Sequence, residues 1–153
     1  MSIESGSVDR AAVWLFRVSA VLWVIWGIVH IFGGVATLWM NLSGRTGDAF
    51  NGIVSKVPAE ELAGDYHPGV AAVLSQHGMN LAWFGAVTLI AAPFVWKRNR
   101  VAFYTAMLVG GMADLAYFIF IDLGGFATFP GPQMTYICAT AIVTGLVGVY
   151  RTR

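Results

Sequence analysis

The chain has 153 residues, of which 58% are hydrophobic and 11% are charged. Soluble domains usually have about 25% charged residues, so the eight acidic and nine basic residues here are too few to form a water-facing surface. The net charge of +1 gives no reason to expect a nucleic-acid partner. The single cysteine, Cys138, excludes an intrachain disulfide and a cysteine-based zinc cluster. Lipid is therefore the expected solvent, and the length predicts one domain, residues 1–153.

Four apolar stretches are long enough to cross a bilayer, which takes about 20 residues in a helix. The first is too long for the apolar region of a signal peptide, which has about 7–15 residues, so we expect it to be retained as a helix. Sequences rich in glycine, proline and basic residues separate the stretches. The pattern predicts an all-α polytopic membrane protein, an antiparallel four-helix transmembrane bundle with spans at about residues 18–40, 70–96, 101–122 and 133–150.

Lysine and arginine are distributed unequally between the two predicted sides of the membrane. Seven lie on the side of the termini and two lie on the other side, which predicts that both termini are cytoplasmic. The seven are Arg10, Arg17, Lys97, Arg98, Arg100, Arg151 and Arg153, and the two are Arg45 and Lys56.

The longest connection, residues 41–69, lies on the predicted outer side. Phe50, Ile53, Val54 and Val57 follow the i, i+3, i+4, i+7 spacing of an amphipathic helix, which we expect to lie on the outer surface or to cap the bundle. The alternative is a solvated connection, which would suit its acidic residues Asp48, Glu60, Glu61 and Asp65.

Three ionisable residues lie within or at the edge of the predicted spans: His30, His77 and Asp114. Such residues are costly at the centre of a bilayer, by about 2.5–3.5 kcal/mol. Counting along the helices places His30 and Asp114 about 10 Å from the outer boundary, with His77 nearer to it. Because they come from different helices at comparable depth, we expect them to project into one polar pocket that opens toward the outer face. The alternative for each is a purely structural hydrogen bond between helices.

Neighbours on the same helical faces extend the expected site. Trp26 shares a face with His30, and Tyr117 lies beside Asp114 at a spacing of 100° per residue. We expect four catalytic residues, His30, His77, Asp114 and Tyr117. The expected ligand-contacting residues are Trp26, Gln76, Asn80, Phe84, Phe118, Tyr136 and Thr140, with Trp83 as a further wall and with Asp65 and His67 near the mouth.

The favoured interpretation is a membrane protein that binds a small apolar or lipid-like substrate, because a histidine and a carboxylate in an apolar pocket can divide the base and acid roles of a proton transfer. Whether the protein is an enzyme stays open. One alternative is a haem or metal site, since two histidines and a carboxylate match known ligand sets. No local ligand motif supports it, so no cofactor and no metal ligand are assigned.

The other alternative is a non-enzymatic accessory or oligomeric subunit. Stripes of small residues mark helix contacts in membranes. The third and fourth spans each carry one, so we expect a homo-oligomer, if one forms, to use one of these two helices. The residues concerned are Ala102, Ala106, Gly110 and Ala113 on the third span, and Gly145 and Gly148 on the fourth.

Overall fold

The computed structural model describes residues 9–152, and this part of the chain is mostly helical, with no strand. Four helices are long and apolar enough to cross a membrane. The predicted fold class, an all-α four-helix membrane bundle, is confirmed. Arg153, which was counted among the basic residues above, lies outside the described residues. The four helices are α1 (Arg10–Leu42), α3 (Pro68–Trp96), α4 (Arg100–Tyr117, continued by a π-helical turn Phe118–Asp122) and α5 (Gly131–Tyr150).

The bundle has two ends of different character. The loop end carries the connection 43–67, which contains the short helix α2 (Thr46–Asn51) and a 3₁₀ turn (Ala59–Leu62), together with the turn at 123–130. The terminal end carries the start of α1, the turn at 97–99 and the end of α5. Helix α1 packs against α3 and α5, and α4 packs against the same two helices from the opposite side.

Helix α1 begins eight residues before the apolar stretch that predicted it. It starts at Arg10 because the Asp9 carboxylate caps it, accepting hydrogen bonds from the backbone N–H groups of Ala11 and Ala12. A hydropathy window finds only the apolar part of such a helix, whereas the backbone near a membrane surface keeps its internal hydrogen bonds beyond that part. The 33 residues of α1 are therefore about 50 Å long.

Two pairs of glycines let α1 and α3 touch through their backbones. A Cβ atom added to Gly27 would lie 2.8 Å from the carbonyl oxygen of Gly85. One added to Gly34 would collide with the carbonyl oxygen of Gly78. Each helix contributes one glycine to each pair at a spacing of seven residues, so this contact continues over two turns. Close backbone approach of this kind drives helix association in lipid, where the hydrophobic effect between helices is absent.

Aromatic side chains fill the terminal half of the bundle. Phe16, Trp23 and Trp26 of α1 are each 0% exposed and reach across the bundle toward α4. The Trp23 ring packs on Gly110, which belongs to the predicted small-residue stripe of α4. Gly145 and Gly148 of α5 pack in the same way against Phe103 and Phe16. These small residues are thus used inside the bundle. A homo-oligomer through α4 or α5 stays a prediction, and it would have to use the other, lipid-facing residues of those helices.

Candidate functional site

A cavity of about 970 Å³ occupies the loop half of the bundle. Its walls come from residues 29–40 of α1, 69–81 of α3, 113–121 of α4 and 131–134 of α5. Most of the side chains that line it are apolar, including Met40, Leu74, Leu81 and Met134. Sites for small molecules usually enclose about 300–1,000 Å³, so the cavity is large enough for a lipid-soluble molecule of moderate size.

His30 and Asp114 lie at the deep end of this cavity, where it meets the packed half of the bundle, and both line it. The His30 Nε2 atom is 3.7 Å from the Asp114 Oδ1 atom. The two side chains are only 12% and 7% exposed. They reach this position because α1 and α4 face each other across the centre of the bundle.

Trp26 fixes the positions of both residues. Its indole Nε1–H donates a 2.8 Å hydrogen bond to Asp114 Oδ2. Its backbone carbonyl accepts from His30 Nδ1 at 2.8 Å, one helical turn away. Its ring stacks on the imidazole with the ring centroids 3.6 Å apart and the planes 18° from parallel. Trp26 is fully buried and does not line the cavity. We correct its expected role accordingly: it supports the polar groups and does not form the wall.

These contacts constrain where protons can be held. Because Nδ1 donates to the Trp26 carbonyl, a neutral His30 presents a lone pair at Nε2. An ionised Asp114 presents only acceptors. Two facing acceptors repel, so the arrangement is favourable when one of the two groups carries a proton. The 3.7 Å separation is longer than a direct hydrogen bond, which leaves both atoms able to bond a polar group of a ligand.

His77 and Tyr117 also line the cavity, so the structure brings together all four residues expected to be catalytic. His77 comes from α3 and is half-buried. The Tyr117 hydroxyl packs on Gly131, where any side chain would collide with it. Its hydrogen-bond partner is the Ile53 carbonyl of the 43–67 connection, at a long 3.5 Å. Tyr117 therefore joins α4 to the start of α5 and to the covering connection.

Residues 50–55 cover the cavity. Phe50, Ile53 and Val54 contribute to its lining, as their helical spacing indicated. The helix itself lies earlier than expected: α2 ends at Asn51, and residues 52–57 form turns. The Lys56 N–H donates to the Phe126 carbonyl at 2.9 Å, and the Thr128 N–H donates to Ser55 Oγ at 2.9 Å. The connection is thereby fastened to the 123–130 turn.

Several residues expected at the site lie elsewhere. The lining of the cavity includes none of Gln76, Asn80, Trp83, Phe84, Phe118, Tyr136, Thr140 and Asp65. On α3 the cavity-facing arc runs through Val70, Val73, Leu74, His77 and Leu81, so positions 76 and 80 both lie outside the same edge of it, beyond Val73. Tyr136 is 66% exposed. The Thr140 hydroxyl donates to the Tyr136 carbonyl of its own helix at 2.8 Å.

His67, which was expected near the mouth, lines the cavity there, and its Nδ1 caps α3 by accepting from the Gly69 N–H at 3.0 Å. One residue at the loop end was not predicted from the sequence. Asn41 holds the loop end together: its side chain donates to Ser75 Oγ and accepts from Thr46 Oγ1 at 2.8 Å. The supporting role of Trp26 did have a signal in the sequence. Trp26 and His30 are four residues apart, and this spacing places the indole one helical turn from the imidazole.

Within residues 9–152, no group of three or more histidine, cysteine, aspartate or glutamate side chains is placed to hold a metal ion.

The four long apolar helices define an integral, multi-pass membrane protein. No protein-family model, curated protein or solved structure matches this chain. Its function is therefore inferred from the chemistry of the cavity.

Proposed function

We propose that this membrane protein binds a small, largely apolar or lipid-like ligand in the cavity at its loop end. The observation that carries the proposal is the joint lining by His30, His77 and Asp114 of a cavity of about 970 Å³ whose other walls are mostly apolar. An apolar body with one polar group matches this distribution, because the cavity has its polar pair at one end. Residues 1–153 act as a single transmembrane domain in this proposal.

The polar group of the ligand is a carbonyl or a hydroxyl that contacts the His30–Asp114 pair. The group of the pair that carries a proton can donate it to a carbonyl, and the other group can accept from a hydroxyl. A neutral polar group is favoured over a charged one because the cavity lies in an apolar setting, where an unpaired charge is costly. If the ligand reacts, His30 and Asp114 provide the acid and the base.

The haem and metal alternative has weaker support. Within the described residues, the imidazoles and carboxylates that line the cavity lie on its walls and do not form a cluster of ligands. The accessory-subunit alternative has no observation that favours it over ligand binding, since the small residues that motivated it pack within the bundle.

Photo-crosslinking in lipid nanodiscs tests the proposal. The probe is a long-chain alcohol that carries a diazirine, used with and without an excess of the unlabelled alcohol, and the labelled residues are mapped by mass spectrometry. We expect competable labelling at Met40, Leu81 and Met134. We expect only non-competable labelling at the lipid-facing residues Leu108 and Val143, which are 59% and 58% exposed.

Substitutions then connect the labelling to the polar pair. His30→Ala and Asp114→Asn should each reduce competable labelling about tenfold, which corresponds to the loss of one hydrogen bond to a charged or shared-proton group. Thr144→Ala is the control, because its hydroxyl bonds only to carbonyls of its own helix. Labelling that the excess alcohol does not displace, or that both site variants leave unchanged, would contradict the proposal.

We further propose that both termini are cytoplasmic, which puts the cavity in the outer half of the membrane. The unequal distribution of lysine and arginine supports this orientation. Single cysteines at positions 45 and 98, in a background with Cys138→Ala, should react differently with a membrane-impermeant maleimide on intact cells. Position 45 should label and position 98 should not. The reverse pattern would invert the orientation without affecting the ligand proposal.

A further inference from the structure

Arg17 occupies an unusual place at the terminal end of the bundle. Its guanidinium carbon lies 5.1 Å from the ring centroid of Trp96 and 5.9 Å from that of Trp14. Both distances are within the range of a cation–π contact. The two indoles come from different helices, α3 and α1, and hold the guanidinium between them at the membrane boundary of the bundle.

No carboxylate neutralises Arg17 in the part of the chain that the structure describes. Its Nε atom is buried and has no hydrogen-bond partner there. The single described acid at this end is Asp9, and it pairs with Arg151 through a 2.8 Å contact between Nε and Oδ2. Further positive charges lie at the same end, at Arg10, Lys97, Arg98 and Arg100. The terminal end therefore attracts anions.

A shallow groove leads from Arg17 toward the middle of the bundle. It has a volume of about 210 Å³, and Arg17 is its one polar residue. Val18, Val21 and Leu22 form its apolar part, one to two turns further along α1. The groove thus has a cationic end near the helix start and an apolar end deeper in the membrane.

We propose that this groove is a binding site for an anionic phospholipid. The phosphate contacts the two terminal nitrogens of the Arg17 guanidinium, because the buried Nε atom is closed to it and these two nitrogens can bind a phosphate in a bidentate manner. The first part of one acyl chain lies on Val18, Val21 and Leu22. The surplus of positive charge selects an anionic headgroup over a zwitterionic one, because a choline cation would be repelled.

The order of charge and apolar surface in the groove distinguishes a lipid from a soluble anion. Free phosphate would use only the Arg17 end and would leave the apolar end uncovered. A phospholipid covers both parts at once, and its phosphate lies at the depth of the interfacial tryptophans, where such side chains are enriched. The site is remote from the loop-end cavity, shares no residue with it and does not depend on the ligand proposed there.

The test uses the full chain, released from nanodiscs that contain phosphatidylcholine with one part in five of phosphatidylglycerol. Native mass spectrometry counts the lipids that stay bound. We expect one tightly retained phosphatidylglycerol on the wild type. Arg17→Gln should weaken its retention about tenfold, as for the loss of a charge-assisted hydrogen-bonded pair. Arg10→Gln is the matched control, since it removes the same charge from the same helix outside the groove.

Two further arms make the test decisive. Arg17→Lys keeps the charge but cannot bind a phosphate in a bidentate manner, so lipid retention should fall between that of the wild type and that of Arg17→Gln. If Arg17→Gln does not fold, Arg17→Lys replaces it in the test. Millimolar inorganic phosphate should leave the lipid bound, and full displacement would overturn the role of the acyl chain. Equal losses in Arg10→Gln and Arg17→Gln would show general attraction to the basic end and would overturn the site, as would wild-type retention in both Arg17 variants.

Discussion

Replacing Trp26 by phenylalanine tests how the site is supported. The substitution removes the indole N–H that donates to Asp114 Oδ2 at 2.8 Å, while it retains an aromatic ring to stack on His30. Trp23→Phe is a closely matched control. Trp23 lies one turn earlier on the same helix and is also 0% exposed, but its Nε1 is buried without a hydrogen-bond partner in the described chain.

The two substitutions remove the same atoms from similarly buried positions, so their packing costs largely cancel in the comparison. What remains is the hydrogen bond to Asp114, and Trp23→Phe also removes an unpaired buried N–H, which increases the difference in the same direction. A bond to a charged group contributes about 1.5–3 kcal/mol, whereas polar contacts between membrane helices average about 0.6 kcal/mol. We expect Trp26→Phe to destabilise the protein more than Trp23→Phe by about 1.5–3 kcal/mol, because the acceptor is a carboxylate.

The assay is equilibrium unfolding in mixed micelles with increasing dodecyl sulfate, followed by the loss of far-ultraviolet ellipticity. The same pair of substitutions is also made in an Asp114→Leu background. If the difference arises from the hydrogen bond, it should vanish there, because the acceptor is absent. Equal destabilisation by both substitutions in the wild-type background would refute the supporting role of Trp26. So would a difference that persists without Asp114.

Two further predictions concern the ends and the centre of the bundle. Gly34→Ala should destabilise the protein by about 1–3 kcal/mol in the same unfolding assay, because the added Cβ collides with Gly78. Gly33→Ala is the control: its added Cβ meets no atom within 4 Å, so this substitution should be neutral or stabilising. The hydrogen bond from Arg151 lowers the pKa of Asp9 below its ordinary 3.8, so the contact stabilises the fold above that pH and is lost as the pH falls through the lowered pKa. Arg151→Gln should therefore show a smaller loss of stability on acidification in this range, and a loss equal to that of the wild type would contradict the pairing.

The sequence predicted the spans well because lipid imposes a strong constraint on them. A helix in a bilayer must be apolar for about 20 residues, and this requirement is visible without any knowledge of packing. All four predicted stretches fall inside the helices α1, α3, α4 with its π-helical turn, and α5. Helix starts were less accurate, since Asp9 caps α1 well before its apolar part begins.

The lining of the cavity was harder to predict because a helical wheel gives angles within one helix but not the rotation of that helix in the bundle. Polar residues were expected to face inward. Thr140 and Thr144 do not need to, since each hydroxyl donates to a carbonyl four residues earlier and can then lie against lipid. Asn80 accepts a hydrogen bond from the exposed Trp83 indole at 3.2 Å. His30 also donates to the carbonyl four residues earlier, through Nδ1, but its Nε2 atom and the Asp114 carboxylate have no such partner on their own helices, so the expectation that polar residues face inward is more reliable for them.

The position of the site follows from how the bundle is held together. Helices in lipid associate through close packing, here through the glycine contacts of α1 with α3 and through aromatic rings on small residues of α4 and α5. Trp26 is the last residue in the row of buried α1 aromatics. Beyond it the small residues Gly33, Ala36 and Ala116 have no ring to fill the space, and they line the cavity instead. The same indole that ends the packed half also holds His30 and Asp114, so the stability of the core and the geometry of the polar pair depend on one side chain. A substitution at Trp26 should therefore change ligand binding and unfolding together, whereas a substitution at His77 should change binding alone.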